Sequence, residues 1–259
     1  MKKSLLLLIL FYALTVKSQY YSFSKSFGTY TDLYGATVIV NDDWFRIDAA
    51  IKVPFSFKYW GVDIIDSIYL DALASISVNN KRQHEIAPLV AVLSSRGVNK
   101  SPVSYLIEGT TPNRVFKIQF KNTGFLFDSP GLTDSANFQF WLYEASNIIE
   151  FRYGPNKVKP GSWSLGSGAA VFMSDSTHSK FLGLKSDPSN PFIVTKDTTI
   201  NSTLNGMPSN GFVYRFTPSS FPTGIGNNNI RIDFDGGKVS LPSNVEITSF
   251  SIYNIVLTP

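Results

Sequence analysis

Phe138-Gln139-Phe140-Trp141-Leu142-Tyr143, followed after Glu144–Ile148 by Ile149-Glu150-Phe151-Arg152-Tyr153, decides how this chain is read. The period is two. Side chains alternate across a strand, so Phe138, Phe140 and Leu142 share one face with Ile149, Phe151 and Tyr153 following suit, while Gln139, Trp141 and Tyr143 take the other. Only a few residues around Ala145-Ser146-Asn147 separate the two runs, which makes them a hairpin. The same alternation recurs upstream. Ile51, Val53, Phe55, Phe57 and Tyr59 interleave with Lys52, Pro54, Ser56, Lys58 and Trp60, and Phe116, Ile118 and Phe120 with Lys117, Gln119 and Lys121. It returns late, in Phe212, Tyr214 and Phe216. Pro- and Gly-rich stretches at 128–133, 155–161, 187–191 and 205–211 punctuate the runs as loops.

Many short strands of this kind predict an all-β chain, an antiparallel β-sandwich of jelly-roll-like form, with a closed barrel as the structural alternative. Helical periodicity is nearly missing. The stretch Asn80–Ser95 does not alternate strictly, and its Leu89, Val90, Val92 and Leu93 suit a turn or short helix. The sandwich is expected over 19–216, a Pro/Ser/Gly linker over 217–225, and a short β appendage over 226–259. That appendage has Ile230, Ile232 and Phe234 in alternation, a Gly236-Gly237 turn, and strand-like residues from Val239 to Ile252.

The first residues read as a secretory signal peptide spanning 1–18: Lys2 and Lys3, an apolar run from Leu5 to Leu14, then small residues up to Ser18. The run is short of the roughly 20 residues that span a bilayer, and no later segment is long and apolar enough to do so. Cleavage after Ser18 removes Lys2, Lys3 and Lys17, so the 23 basic residues fall to 20 against 19 acidic ones. A net charge of +1 removes the electrostatic case for nucleic acid. The chain has no cysteine, which in an exported protein leans toward a bacterial source. The expected location is secreted or on the outer cell surface.

An ordered set of segments carries a resemblance. It runs Phe27-Gly28-Thr29-Tyr30-Thr31-Asp32-Leu33, Gly35-Ala36-Thr37-Val38, Asp42-Asp43, Pro54-Phe55-Ser56-Phe57-Lys58-Tyr59-Trp60-Gly61 and Ile86-Ala87-Pro88-Leu89. It continues through Asn113–Phe120, Asn137-Phe138-Gln139-Phe140 and Asn147–Gly154. The set resembles secreted β-sandwich modules of Bacteroidetes that travel by the type IX secretion route. The tail is similar to a shortened type IX sorting domain, through Lys238-Val239-Ser240-Leu241 and Ser251-Ile252-Tyr253-Asn254-Ile255. It departs from that pattern where Asp233-Phe234-Asp235 replaces Pro-Asn-Pro and where the glycine after Tyr-Asn is missing. The resemblance implies a module of unassigned activity in a secreted or surface protein.

No residue set predicts catalysis, a metal or a cofactor. His84 and His178 are the only histidines and stand without a ligand cluster, and a metal site needs several converging ligands. Gly166-Ser167-Gly168 and Ser174–His178 lack the strand-to-helix elbow of a serine hydrolase. Asp63 and Asp66 are three apart, which puts them on opposite faces of a strand, and Asp42-Asp43 reads as a turn. Aromatic residues remain. Trp60, Trp141 and Tyr143 fall on faces opposite the expected core and form the candidate ligand-binding set, because exposed rings stack on sugars or dock proteins. The alternative is that loops or a neighbouring domain cover them. The leading function is a noncatalytic interaction module, adhesive or glycan-binding, with a surface polysaccharide or a protein as partner. An extracellular hydrolase with an unrecognised site and a structural accessory domain of an envelope complex are the competing readings.

Overall fold

The computed structural model describes residues 19–45, 47–64, 67–70, 76–78, 84–127, 133–163, 167–195, 203–220, 234–235 and 238–239. The expected signal peptide, Asp66, Gly166 and most of the tail lie outside them. In chain order the strands are β1 (Gln19–Phe27), β2 (Thr37–Val40), β3 (Ala49–Lys52), β4 (Phe57–Tyr59), β5 (Val62–Ile64), β6 (Ser67–Leu70), β7 (Ile76–Val78), β8 (Glu85–Val90), β9 (Leu93–Ser94) and β10 (Val103–Glu108). They continue as β11 (Val115–Phe125), β12 (Ala136–Tyr143), β13 (Ile149–Tyr153), β14 (Ala170–Ser174), β15 (Phe181–Lys185), β16 (Phe192–Val194), β17 (Phe212–Ser220), β18 (Phe234–Asp235) and β19 (Lys238–Val239). Among the described residues there is no α-helix, and every paired strand is antiparallel to its neighbour.

Two sheets make the sandwich. The larger runs β1-β17-β13-β12-β11-β10-β2, with β9 against the end of β11; the smaller runs β16-β15-β14-β8-β7-β6-β3. The alternating residues meet between them. Phe138, Phe140, Leu142, Ile149, Phe151 and Tyr153 from the larger sheet, and Ile68, Leu70, Ile76, Ile86, Val171 and Met173 from the smaller, join one buried cluster. Rings lock it: Phe120 stacks on Phe138 at 4.7 Å, and Phe151 leans on Phe216 at 5.0 Å. Where a tyrosine enters the core, its hydroxyl finds a main-chain acceptor. Tyr153 donates to Pro88 O and Tyr59 to Glu85 O, both at 2.7 Å, so each ring is buried with no unmet donor. Burial pushes the pKa of both phenols well above the ordinary tyrosine value.

Three local expectations are corrected. Glu85–Val90 forms a strand where a turn or short helix was expected. It is flanked by β7 and β14 and covered on both faces, so its apolar residues need not alternate. Its Pro88 sits at a register shift opposite β14, a position where a missing N–H is tolerated. The run from Ile51 to Tyr59 keeps its alternation of burial but divides between β3 and the separate β4–β5 hairpin, bending at Pro54-Phe55. Finally, Thr217–Ser220, at the start of the expected 217–225 linker, are strand residues that β17 carries against β1. Past Phe216, β17 is no longer paired with β13, which leaves room for Pro218.

The chain divides into two compact units, Met1–Phe221 and Pro222–Pro259. In the second, Phe234 pairs with Val239 and Asp235 with Lys238.

Candidate functional site

Sheet register, more than sequence proximity, assembles the outer face of the larger sheet. Lys117 on β11 pairs with Trp141 on β12, Trp141 with Glu150 on β13, Glu150 with Arg215 on β17, and Arg215 with Ser24 on β1. One row thus crosses five strands, and directly opposed side chains on one face are close enough to interact. A parallel row holds Gln119, Gln139 and Arg152.

Glu150 is the hinge of this arrangement. Its side chain is 4% exposed, yet it accepts from Arg152 Nε at 3.0 Å and Arg215 Nη1 at 2.5 Å, while the Tyr143 hydroxyl donates to it at 2.9 Å. A buried carboxylate is costly unless hydrogen-bonded, and three donors satisfy it. Each guanidinium also lies over an aromatic ring: Arg152 Cζ is 3.7 Å from the Trp141 centroid and Arg215 Cζ is 5.5 Å from that of Tyr143. Lys117 Nζ stands 3.8 Å from the Trp141 centroid as well. Two cations that near one centroid would overlap on a single face, so they occupy opposite faces of the indole. Lys117 is completed by Glu108 Oε2 at 2.5 Å. Burial and then the nearby Glu150 push the Tyr143 phenol up to about 12, which keeps it a donor.

A chain of amides fixes the indole edge. Trp141 Nε1 donates to Gln139 Oε1 at 2.9 Å, and Gln139 Nε2 donates to Gln119 Oε1 at 3.0 Å and Thr31 O at 2.7 Å. Gln119 Nε2 donates to Asp32 Oδ1 at 3.0 Å, and Asp32 in turn is paired with Lys121. The segment after β1 therefore folds over one end of the face. Its Tyr30 lies so close to Gly154 that a β-carbon there would come within 2.6 Å of the ring, which explains the glycine.

The three aromatic candidates separate. Trp141 and Tyr143 come together, half-buried, with centroids 6.3 Å apart. Trp60 does not join them, and it is not on a solvent face: it is 4% exposed and belongs to the core cluster. The cause is local. Trp60-Gly61 is the two-residue connection between β4 and β5, and both residues have positive φ, 51° and 83°, as a type I′ turn requires. The strand period stops at Tyr59, and the indole turns inward to meet Tyr21 edge-on at 5.1 Å.

Other candidates are occupied elsewhere. Asp43 accepts from the Ser95 hydroxyl, and Ser167 donates to Asn205. His178 sits in the turn between β14 and β15 with φ 56°. His84 packs edge-on against Tyr59 at 6.1 Å, and burial lowers its pKa. Among the described residues no group of three or more acidic or histidine side chains is placed to hold a metal. Sequence reading missed Lys117, Glu150, Arg152 and Arg215, whose signal was their position on the solvent side of alternating strands.

Residues 20–218 match the family model described as NIDO related, a span that begins in β1 and ends in β17 and so takes in the whole sandwich. The chain belongs to the NIDO-related family. NIDO-related domains are extracellular-type modules, often noncatalytic. No curated protein and no solved structure matches the chain. No helix among the described residues of this NIDO-related chain is long and apolar enough to cross a membrane.

Proposed function

We propose that this NIDO-related chain is a secreted or surface-displayed noncatalytic interaction module, adhesive or glycan-binding, and that the outer face of its larger sheet is the binding surface. The observation that carries the reading is the pair of guanidiniums tied to one buried carboxylate and stacked on Trp141 and Tyr143. Such a surface is fixed before any ligand arrives, and preorganisation lowers the entropic cost of binding. Rings and arginines are also the side chains that most often dominate recognition surfaces. Trp60, buried in the core, is left out of this surface.

Export is supported by the order of charged, apolar and small residues over 1–18. Delivery to the outer surface is supported by the likeness of 226–259 to type IX sorting domains. A glycan and surface-polymer array, run with the mature chain and with Trp141→Ala, tests the binding reading. Retention of one polymer class by the native chain and its loss in a folded Trp141→Ala variant is the expected result. Release of soluble sugar from an arrayed polymer would instead indicate a hydrolase. Amino-terminal mass spectrometry of exported protein should find Gln19, and intact Met1 on exported protein would contradict the leader assignment.

A further inference from the structure

Both faces of the Trp141 ring are taken by cations, so no sugar ring stacks on it unless one of them is displaced. The surface presents guanidinium edges instead. Arg152 commits Nε to Glu150, and Arg215 commits Nη1 to the same carboxylate. Among the described residues, both Nη groups of Arg152, together with Nε and the second Nη of Arg215, find no protein acceptor. The arginine side chains are 25% and 39% exposed and the Glu150 side chain 4%, so an incoming group meets the donors and is shielded from the acid. Lys117, Arg152 and Arg215 against Glu108 and Glu150 leave this cluster with a net charge of +1.

We propose that the outer face binds an acidic polysaccharide, with a carboxylate or sulfate group of the polymer held between Arg152 and Arg215. The inference rests on the outer face being the binding surface. Arg152 and Arg215 are diagonal neighbours on one face, since Arg152 pairs with Val213. Their guanidiniums are drawn to one carboxylate, Arg152 Nε on Oε2 and Arg215 Nη1 on Oε1 of Glu150, so one planar or tetrahedral anion can be shared by the donors they leave over, the geometry in which arginine exceeds lysine. A polysaccharide fits better than an acidic peptide for two reasons. The strands beneath the site, β12, β13 and β17, are paired on both sides at these residues, so no free main-chain edge invites strand addition. And Ser22, Ser24 and Ser26, all exposed, line the same face beside Arg215, offering small hydroxyls to a polyhydroxylated partner.

The test titrates the mature full chain with polygalacturonate, dextran sulfate, neutral dextran and polyglutamate. Polygalacturonate, dextran sulfate or both should bind, which separates carboxylate from sulfate, and neutral dextran should not. Raising salt from about 0.05 M to about 0.5 M should weaken binding roughly tenfold or more, because screening shortens to a few ångströms. Arg152→Lys and Arg215→Lys keep the charge and lose the fork, and each should weaken binding roughly tenfold while Lys185→Gln, on the smaller sheet, changes nothing. If an arginine variant melts early, the salt dependence of the native chain still decides. Equal binding of neutral dextran, lost on Trp141→Ala, would overturn the acidic ligand and leave the outer face as the binding surface. Polyglutamate binding as tightly as polygalacturonate would replace the polysaccharide with an acidic protein. Binding indifferent to both arginine variants would move the site off this face, and failure of all four polymers to bind would overturn the proposal outright.

Discussion

On β12 and β13 the inner face carries Phe138, Phe140, Leu142, Ile149, Phe151 and Tyr153, all at 0% exposure, and the outer face carries Gln139, Trp141, Tyr143, Glu150 and Arg152. Burial alone does not distinguish the two, for Gln139 and Glu150 are only 1% and 3% exposed. What differs is how the burial is achieved. Inside, apolar side chains from two sheets interdigitate, and the stabilisation is non-directional, scaling with area removed from water. Outside, the face covers itself: long cations lie over rings, and the buried Gln139 and Glu150 side chains are held by named partners. The inner face therefore responds to volume, and the outer face to the loss of one donor or acceptor.

That contrast ranks the expected effects. Phe151→Ala empties a fully enclosed site and should cost about 3–5 kcal/mol in chemical denaturation, with no specific effect on ligand binding. A loss below about 1 kcal/mol would mean the inner face is not packed as described. Glu150→Ala removes the acceptor shared by Arg152, Arg215 and the Tyr143 hydroxyl. It should cost about 1–3 kcal/mol, less than a buried ion pair because both arginines are partly solvated. Trp141→Ala should cost least of the three, roughly 1 kcal/mol, since the ring is only half-buried and its Arg152 contact is partly solvated, and should affect binding out of proportion to stability. A loss near that of Phe151→Ala would show that the outer face is a second core.

Titration should separate interior from surface too. Tyr59 and Tyr153, buried in the core with raised pKa values, stabilise the fold below the ordinary tyrosine value of about 10, and this contribution is lost as pH rises beyond it. At the surface the carboxylates move the other way. Arg114 lowers the Glu144 pKa through its side-chain hydrogen bonds, and the Ser189 N–H lowers that of Asp187. Asp175 is lowered although burial opposes it, because Ser179, the Lys180 N–H and Thr177 all donate to it. Their contributions are complete above the ordinary carboxylate value of about 4 and are lost as pH falls below it. Thermal melts from pH 7 to pH 2, repeated with Glu144→Gln, should show a shallower acid decline in the variant.

The inner face was legible because one strand period fixes it: Phe138 to Tyr153 needs no knowledge of what lies opposite. Legibility failed where a longer-range fact decided. Glu85–Val90 does not alternate because both its faces are covered, and sequence alone does not tell such a strand from a short helix. Trp60 escaped because the period was carried one residue too far, into a turn whose glycine, Gly61, stood in plain view. Trp141 and Tyr143 were placed on the correct side of their strand, but their partners were not foreseen. Arg215 is 65 residues from Glu150 in the chain and reaches it only through the β13–β17 register.

The most direct test of a preformed outer-face site is the tryptophan indole region of an NMR spectrum, followed while a short oligogalacturonate is added. Trp141 donates its indole N–H to Gln139 beside Arg152, whereas Trp44 donates to Ser101 O in the interior and Trp60 packs on Tyr21. The Trp141 resonance should shift saturably, those of Trp44 and Trp60 should stay in place, and Arg152→Lys should weaken the response. Saturable shifts at Trp60 or Trp44 with Trp141 unmoved would contradict the assignment of binding to this face.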